Sequence, residues 1–111
     1  MADRVTPRIA QHVAAFNAAV ASGDWTTFAA AFATDARMEF VGVPAGPFQG
    51  RDEIAAAYRD SPPDDTMAVR SVDPGGTSDV VRFAWTAGGS GTMTLEWTPD
   101  GLVRELVVVF D

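Results

Sequence analysis

The sequence predicts an α+β domain in which a curved antiparallel sheet wraps against three N-terminal helices. Three observations carry that expectation. Apolar residues recur at three- and four-residue spacing through the first third of the chain, the period falls to two just after Asp35, and the second half is a run of alternating segments divided by Gly- and Pro-rich turns. A length of 111 residues with 47% hydrophobic content suits one domain spanning residues 1–111, burying roughly 60–70% of the surface its unfolded chain exposes.

The first helix starts at Thr6-Pro7, a capping residue followed by a proline whose missing N–H costs nothing at that position. Val5, Ile9, Val13, Phe16 and Val20 form its apolar stripe, and Ser22-Gly23 ends it. Asp24 caps a second helix with Trp25, Phe28 and Phe32 on one face. Beyond Thr34-Asp35 a half-buried strand sets Met38 and Phe40 against Arg37, Glu39 and Val41. Pro44, Gly46, Pro47 and Gly50 break it. A third helix runs from Arg51 to Asp60 and stops at Ser61-Pro62-Pro63, because proline disfavours helical geometry in the residue before it. Strands follow at Met67–Val72, Asp79–Ala87, Gly91–Thr98 and Leu102–Phe110, joined by tight turns as a meander. In the third of these, Met93, Leu95 and Trp97 alternate with Thr92, Thr94, Glu96 and Thr98, so one face is apolar.

Composition narrows the function classes. A formal charge of -7 repels phosphate backbones and anionic lipid surfaces, which argues against nucleic acid and membrane partners. All basic residues are Arg. The absence of Cys removes disulfides, thiolate nucleophiles and thiolate metal sites. The first seven residues contain no long apolar run, so the expectation is a cytoplasmic protein without a signal peptide or membrane span.

Gly23-Asp24 between the first helices, Asp35-Ala36 before the first strand, and Gly50-Arg51 followed by Ile54-Ala55-Ala56 and Tyr58-Arg59 resemble the ketosteroid isomerases. More broadly the chain is similar to the SnoaL-like and nuclear transport factor 2-like superfamily over nearly its whole length. That resemblance implies a cone of sheet and helix (the cystatin-like fold), a deep apolar pocket, and homodimers formed through the outer sheet face. Isomerase chemistry needs a carboxylate base and an oxyanion hole of a tyrosine and a protonated aspartic acid. Aligned on the shared motifs, those positions hold Phe40, Phe16 and Met93. A base contributes about 10²–10⁴-fold and an oxyanion donor about 10²–10³-fold, so isomerase activity is not carried over and no catalytic residue is assigned.

The expected ligand pocket comprises Phe16, Phe40, Tyr58, Phe83, Trp85, Met93, Leu95, Trp97 and Phe110, with His12 on the helix side; the same residues would also serve as an ordinary filled core. Tyr58 could place a hydroxyl in the cavity or simply pack. His12, the single histidine, reads either as a pocket group or as a half-exposed side chain on the helix flank. Alternation sends Glu39 and Arg37 to the face opposite Phe40, against an Arg37–Asp111 pair of the epoxide-hydrolase kind. Gly88-Gly89-Ser90-Gly91 joins two strands and reads as a hairpin, not a phosphate cradle. Asp64, Asp65 and Asp73 lack the spacing of a calcium loop; no metal or cofactor is expected. Two readings remain: a protein that holds a small hydrophobic molecule, with or without a reaction run by other pocket residues, and a non-catalytic homodimerisation module built on Thr92, Thr94, Glu96, Arg104 and Val107 of the outer face.

Overall fold

Helix α1 (Pro7–Ser22) starts behind an extended Thr6, whose carbonyl accepts from Ala10 N–H at 2.9 Å. The Thr6 hydroxyl makes no capping bond and is buried without a partner among the described residues. The computed structural model describes residues 6–111; Val5, which the periodicity assigns to the α1 stripe, lies outside them. Ile9, Val13 and Phe16 are buried, Val20 is half-buried, and Gly23 closes the helix at φ 79°, with its N–H on the Ala19 carbonyl. That left-handed geometry favours a residue without a side chain.

Helix α2 (Trp25–Ala29) is capped as expected: Asp24 accepts from Thr27 N–H at 3.1 Å and from its hydroxyl at 2.6 Å. It is shorter than the sequence suggests. Phe32 is not on its face but opens strand β1 (Phe32–Val41), pairing with Val103. A phenylalanine four residues after Phe28 satisfies helical spacing as well as strand burial, so periodicity alone could not separate them. Register then slips between Phe32 and Arg37, and Phe32, Ala36 and Met38, all an even number of residues apart, are buried.

Where the sequence reads only a break, Phe48–Gln49 form a short strand β2 antiparallel to Arg37 and Met38. Helix α3 (Arg51–Asp60) has the expected bounds and buries Ile54, Ala55 and Tyr58. Four strands complete the chain: β3 (Met67–Pro74), β4 (Ser78–Trp85), β5 (Ser90–Trp97) and β6 (Val103–Phe110). They form the expected antiparallel meander, each pairing with the next in sequence.

The sheet order is β2-β1-β6-β5-β4-β3. One ladder departs from antiparallel pairing, since β1 lies parallel to β6, a non-local arrangement that only the intervening helix and meander make possible. The sheet is curved and unclosed, and the helices pack on its concave face. A bulge at Arg104, where Glu96 faces Glu105 but Trp97 faces Val103, turns both Val103 and Leu106 into the core. No helix among the described residues is long and apolar enough to cross a membrane.

Two polar clasps fix α1 to the sheet. Asn17 bridges the β3 backbone, donating to Met67 O at 3.0 Å and accepting from Met67 N–H at 2.9 Å. Arg8 grips the fully buried Asp79 with two hydrogen bonds of 2.7 and 2.9 Å. Trp97 Nε1–H and Gly75 N–H complete the carboxylate's shell, and the Arg8 guanidinium lies 5.1 Å from the centre of the Trp97 ring.

Candidate functional site

The concave face and the helices enclose a cavity of about 510 Å³. All six strands contribute to its sheet wall: Met38 and Phe40 from β1, Phe48 from β2, Met67 from β3, Phe83 and Trp85 from β4, Met93 from β5, and Leu106, Val108 and Phe110 from β6. The period of two delivers these side chains to one face. His12 and Phe16 from α1 and Ala57 and Tyr58 from α3 form the helix wall. Val43, Ala45, Asp60, Ser61 and Phe110 are exposed lining residues and mark the mouth. There the Phe40 and Phe110 rings stack at 6.1 Å.

Gly91 makes this wall possible. A Cβ there would lie 2.7 Å from the tip of the Phe83 ring and 2.8 Å from the Val109 carbonyl oxygen, so only glycine leaves room for Phe83 to lie across β5.

Eight of the ten residues expected from the sequence meet at the cavity: His12, Phe16, Phe40, Tyr58, Phe83, Trp85, Met93 and Phe110. Leu95 and Trp97 do not line it. They sit further along β5, opposite Asp79 and Val103, where Leu95 is sealed in the core and Trp97 serves the Arg8–Asp79 clasp. Alternation identifies their face, but not their depth along the strand. Met38, Leu106 and Val108, missed as pocket groups, carry the same inward alternation.

His12 is not a half-exposed flank residue. It is buried at 6% exposure, its ring 5.4 Å from that of Phe28 and 6.1 Å from that of Phe32. Burial lowers its pKa to about 4, so the imidazole is neutral at pH 7. Tyr58 is 7% exposed and stacks on Trp25 at 4.6 Å, with Phe28 and Phe16 at its edges. Burial raises its pKa above the usual phenol value, and it keeps its proton.

Other singled-out polar residues lie elsewhere. Arg37 pairs on the outer face with Glu39 at 2.9 Å and Glu105 at 3.0 Å, while Asp111 accepts from the Ser90 hydroxyl, so Arg37 and Asp111 do not meet. The Gly88-Gly89 segment is a hairpin turn in which Trp85 N–H bonds Gly89 O. Asp65 pins a turn through Thr66 and Ala87 N–H.

An apolar cavity between helices and a curved, unclosed sheet defines a cone-shaped α+β pocket protein. The sequence profile of the SnoaL-like domain matches residues 13–111, and the chain belongs to that family. It is similar in structure to a SnoaL-like protein of unknown function from Burkholderia thailandensis: 16% identity, TM-score 0.74, covering 97% of this chain and 99% of that one. A provisionally assigned ketosteroid isomerase from Kribbella flavida aligns at 24% identity and TM-score 0.71, over 91% of this chain and 76% of that one. An LEH-like epoxide hydrolase of M. tuberculosis aligns at 19% identity and TM-score 0.69, over 91% and 80%. At these identities the likeness shows the fold. No curated protein matches the chain in sequence.

Proposed function

We propose that this protein binds a small hydrophobic molecule in the cavity and lacks the proton-handling groups of the ketosteroid isomerases. The observation that carries the reading is the cavity itself, about 510 Å³ with hydrocarbon and aromatic walls. That volume lies within the range of small-molecule sites, and burying apolar ligand area there contributes about 25 cal/mol per Å². Phe16, Phe40 and Met93 all line this space, and these are the positions that the motif resemblance aligns with the tyrosine, base and aspartic acid of the isomerases. Binding is favoured over a reaction run by other pocket groups, because a general base works best with a pKa near the operating pH and that of His12 lies near 4.

A thermal-shift screen at pH 7 against steroid-like, polyketide-like and long-chain aliphatic compounds tests this. A ligand at a hundredfold excess over its Kd stabilises the protein by about 2.7 kcal/mol, roughly 10 °C in Tm. Ala57→Phe, which puts a ring into the cavity, abolishes the shift. If no compound raises Tm, or if Ala57→Phe leaves the shifts intact, the reading is wrong.

Homodimerisation is compatible with this binding role and rests on a different surface. Val41 and Val109 are paired across β1 and β6 on the outer face, 44% and 41% exposed. Beside them lie Val107, Thr92 and Thr94, which gives a patch able to meet its own copy isologously.

A further inference from the structure

We infer that the cavity selects an uncharged molecule carrying a hydroxyl or carbonyl oxygen, which it holds through His12 and Tyr58; this rests on the binding role proposed above. Among the described residues neither side chain has a hydrogen-bond partner, although each is more than nine-tenths buried. Asp79, by contrast, is equally buried and fully partnered. Thr6 Oγ1 is the sole side-chain polar atom sealed away without a partner among the described residues. The polar atoms of His12 and Tyr58 therefore reach open space, and the space that both line is the cavity. A buried polar group left unmatched costs about 1–3 kcal/mol, so a bound molecule that displaces solvent from these atoms must replace its hydrogen bonds.

The chemistry of the two groups defines what fits. A neutral imidazole offers one donor and one acceptor, and a protonated phenol offers a donor and an acceptor. Both match a hydroxyl, and either can donate to a carbonyl. Neither carries a positive charge. Among the described residues the one charged side chain lining the cavity is Asp60, exposed at the mouth and acidic, and no Arg lines it. A carboxylate or phosphate would enter a greasy space without a cation, on a chain of net charge -7, at a desolvation cost that hydrogen bonds alone do not offset.

The test is a titration at pH 7 of the untagged protein with biphenyl, para-phenylphenol, para-acetylbiphenyl and biphenyl-para-carboxylate. The phenol and the ketone are expected to bind about 3- to 10-fold tighter than biphenyl, the range of one net hydrogen bond, and the carboxylate to bind more weakly than biphenyl. In the His12→Leu, Tyr58→Phe double variant the preference for oxygen disappears while biphenyl affinity is retained, which also reports that the variant is folded. Independently of any variant, the imidazole nitrogen resonances of the chain's single histidine shift more with para-phenylphenol than with biphenyl. Equal affinity for phenol and biphenyl, a carboxylate that binds best, a preference that survives the double variant, or equal nitrogen shifts each overturns the inference and leaves an apolar pocket standing. If none of the four probes binds, biphenyl included, the binding role itself fails and this inference with it.

Discussion

His12 illustrates how one residue couples pocket chemistry to stability. Its pKa is about 4 in the folded protein against about 6.5 in an unfolded chain. The unfolded state therefore binds a proton at a pH where the native state does not. Folding is unaffected by this group above pH 6.5, loses stability as pH falls from there to about 4, and is level again once both states are protonated. The shift corresponds to about 3 kcal/mol over that window. Asp79 acts in a different range. Burial would raise its pKa, but the Arg8 hydrogen bond, Gly75 N–H, the Arg8 charge and Trp97 N–H together hold it below the ordinary carboxylate value of 3.8. Its contribution is retained above that value and is lost only as pH falls through the folded-state pKa. Urea melts of wild type and His12→Leu between pH 7 and pH 4 separate the two. The wild-type stability should fall across this interval and that of His12→Leu should stay nearly flat; parallel curves would show that His12 is not the titrating group.

The element scale turns on how α1 is fastened. Its apolar stripe faces the core, but the stripe leaves the helix free to slide along its axis. Arg8, gripping Asp79 on β4 beside Trp97 on β5, fixes the N-terminal end, and Asn17 on the β3 backbone fixes the middle. Arg8→Met removes the cation and leaves a buried carboxylate. Loss of one partner from a buried pair costs 3–5 kcal/mol; because the Arg8 side chain keeps 34% of its exposure, the expected loss is about 2–4 kcal/mol, a fall in Tm of roughly 10 °C. Asp79→Asn in the same background removes the buried charge and should recover part of the loss. A calorimetric Tm within a degree or two of wild type for Arg8→Met would dismiss the clasp. None of this is legible in the sequence, because Arg8 and Asp79 are 71 positions apart and nothing in either local pattern points to the other. Helix α3 is fully legible, since Gly50 and the two prolines after Ser61 punctuate it. The inward faces of β1, β5 and β6 are legible too, because the period of two fixes them. What pattern cannot supply is distance along an element. Leu95 and Trp97 share a face with Met93 but lie past the cavity, and Phe32 fits a helix or a strand until the pairing with Val103 decides it. Two-residue β2 is too short to carry any period, and the parallel β1–β6 ladder is a property of the tertiary arrangement.

For the whole molecule, the two faces of the sheet have opposite tasks. The concave face is committed to the cavity; the outer one combines the Arg37–Glu39–Glu105 cluster with exposed Val41 and Val109. An isologous pairing through this face would bring two chains of charge -7 together, so long-range repulsion opposes it while burial of valine favours it. Salt screens the first and leaves the second, since the Debye length falls from about 30 Å at 0.01 M to about 8 Å at physiological ionic strength. Association should therefore strengthen with added salt, whereas an interface held by ion pairs would weaken. Sedimentation velocity across a hundredfold range of protein concentration is expected to show a species of twice the 11.7 kDa chain mass, more populated at high salt. Val109→Glu places a carboxylate from each copy on the proposed contact face, diagonal to the existing Glu39, and should shift the population to monomer without altering Tm in dilute solution. A wild type that sediments as a monomer at every concentration and salt, or a dimer indifferent to Val109→Glu, would move the dimer off this face and leave its valines as ordinary exposed surface.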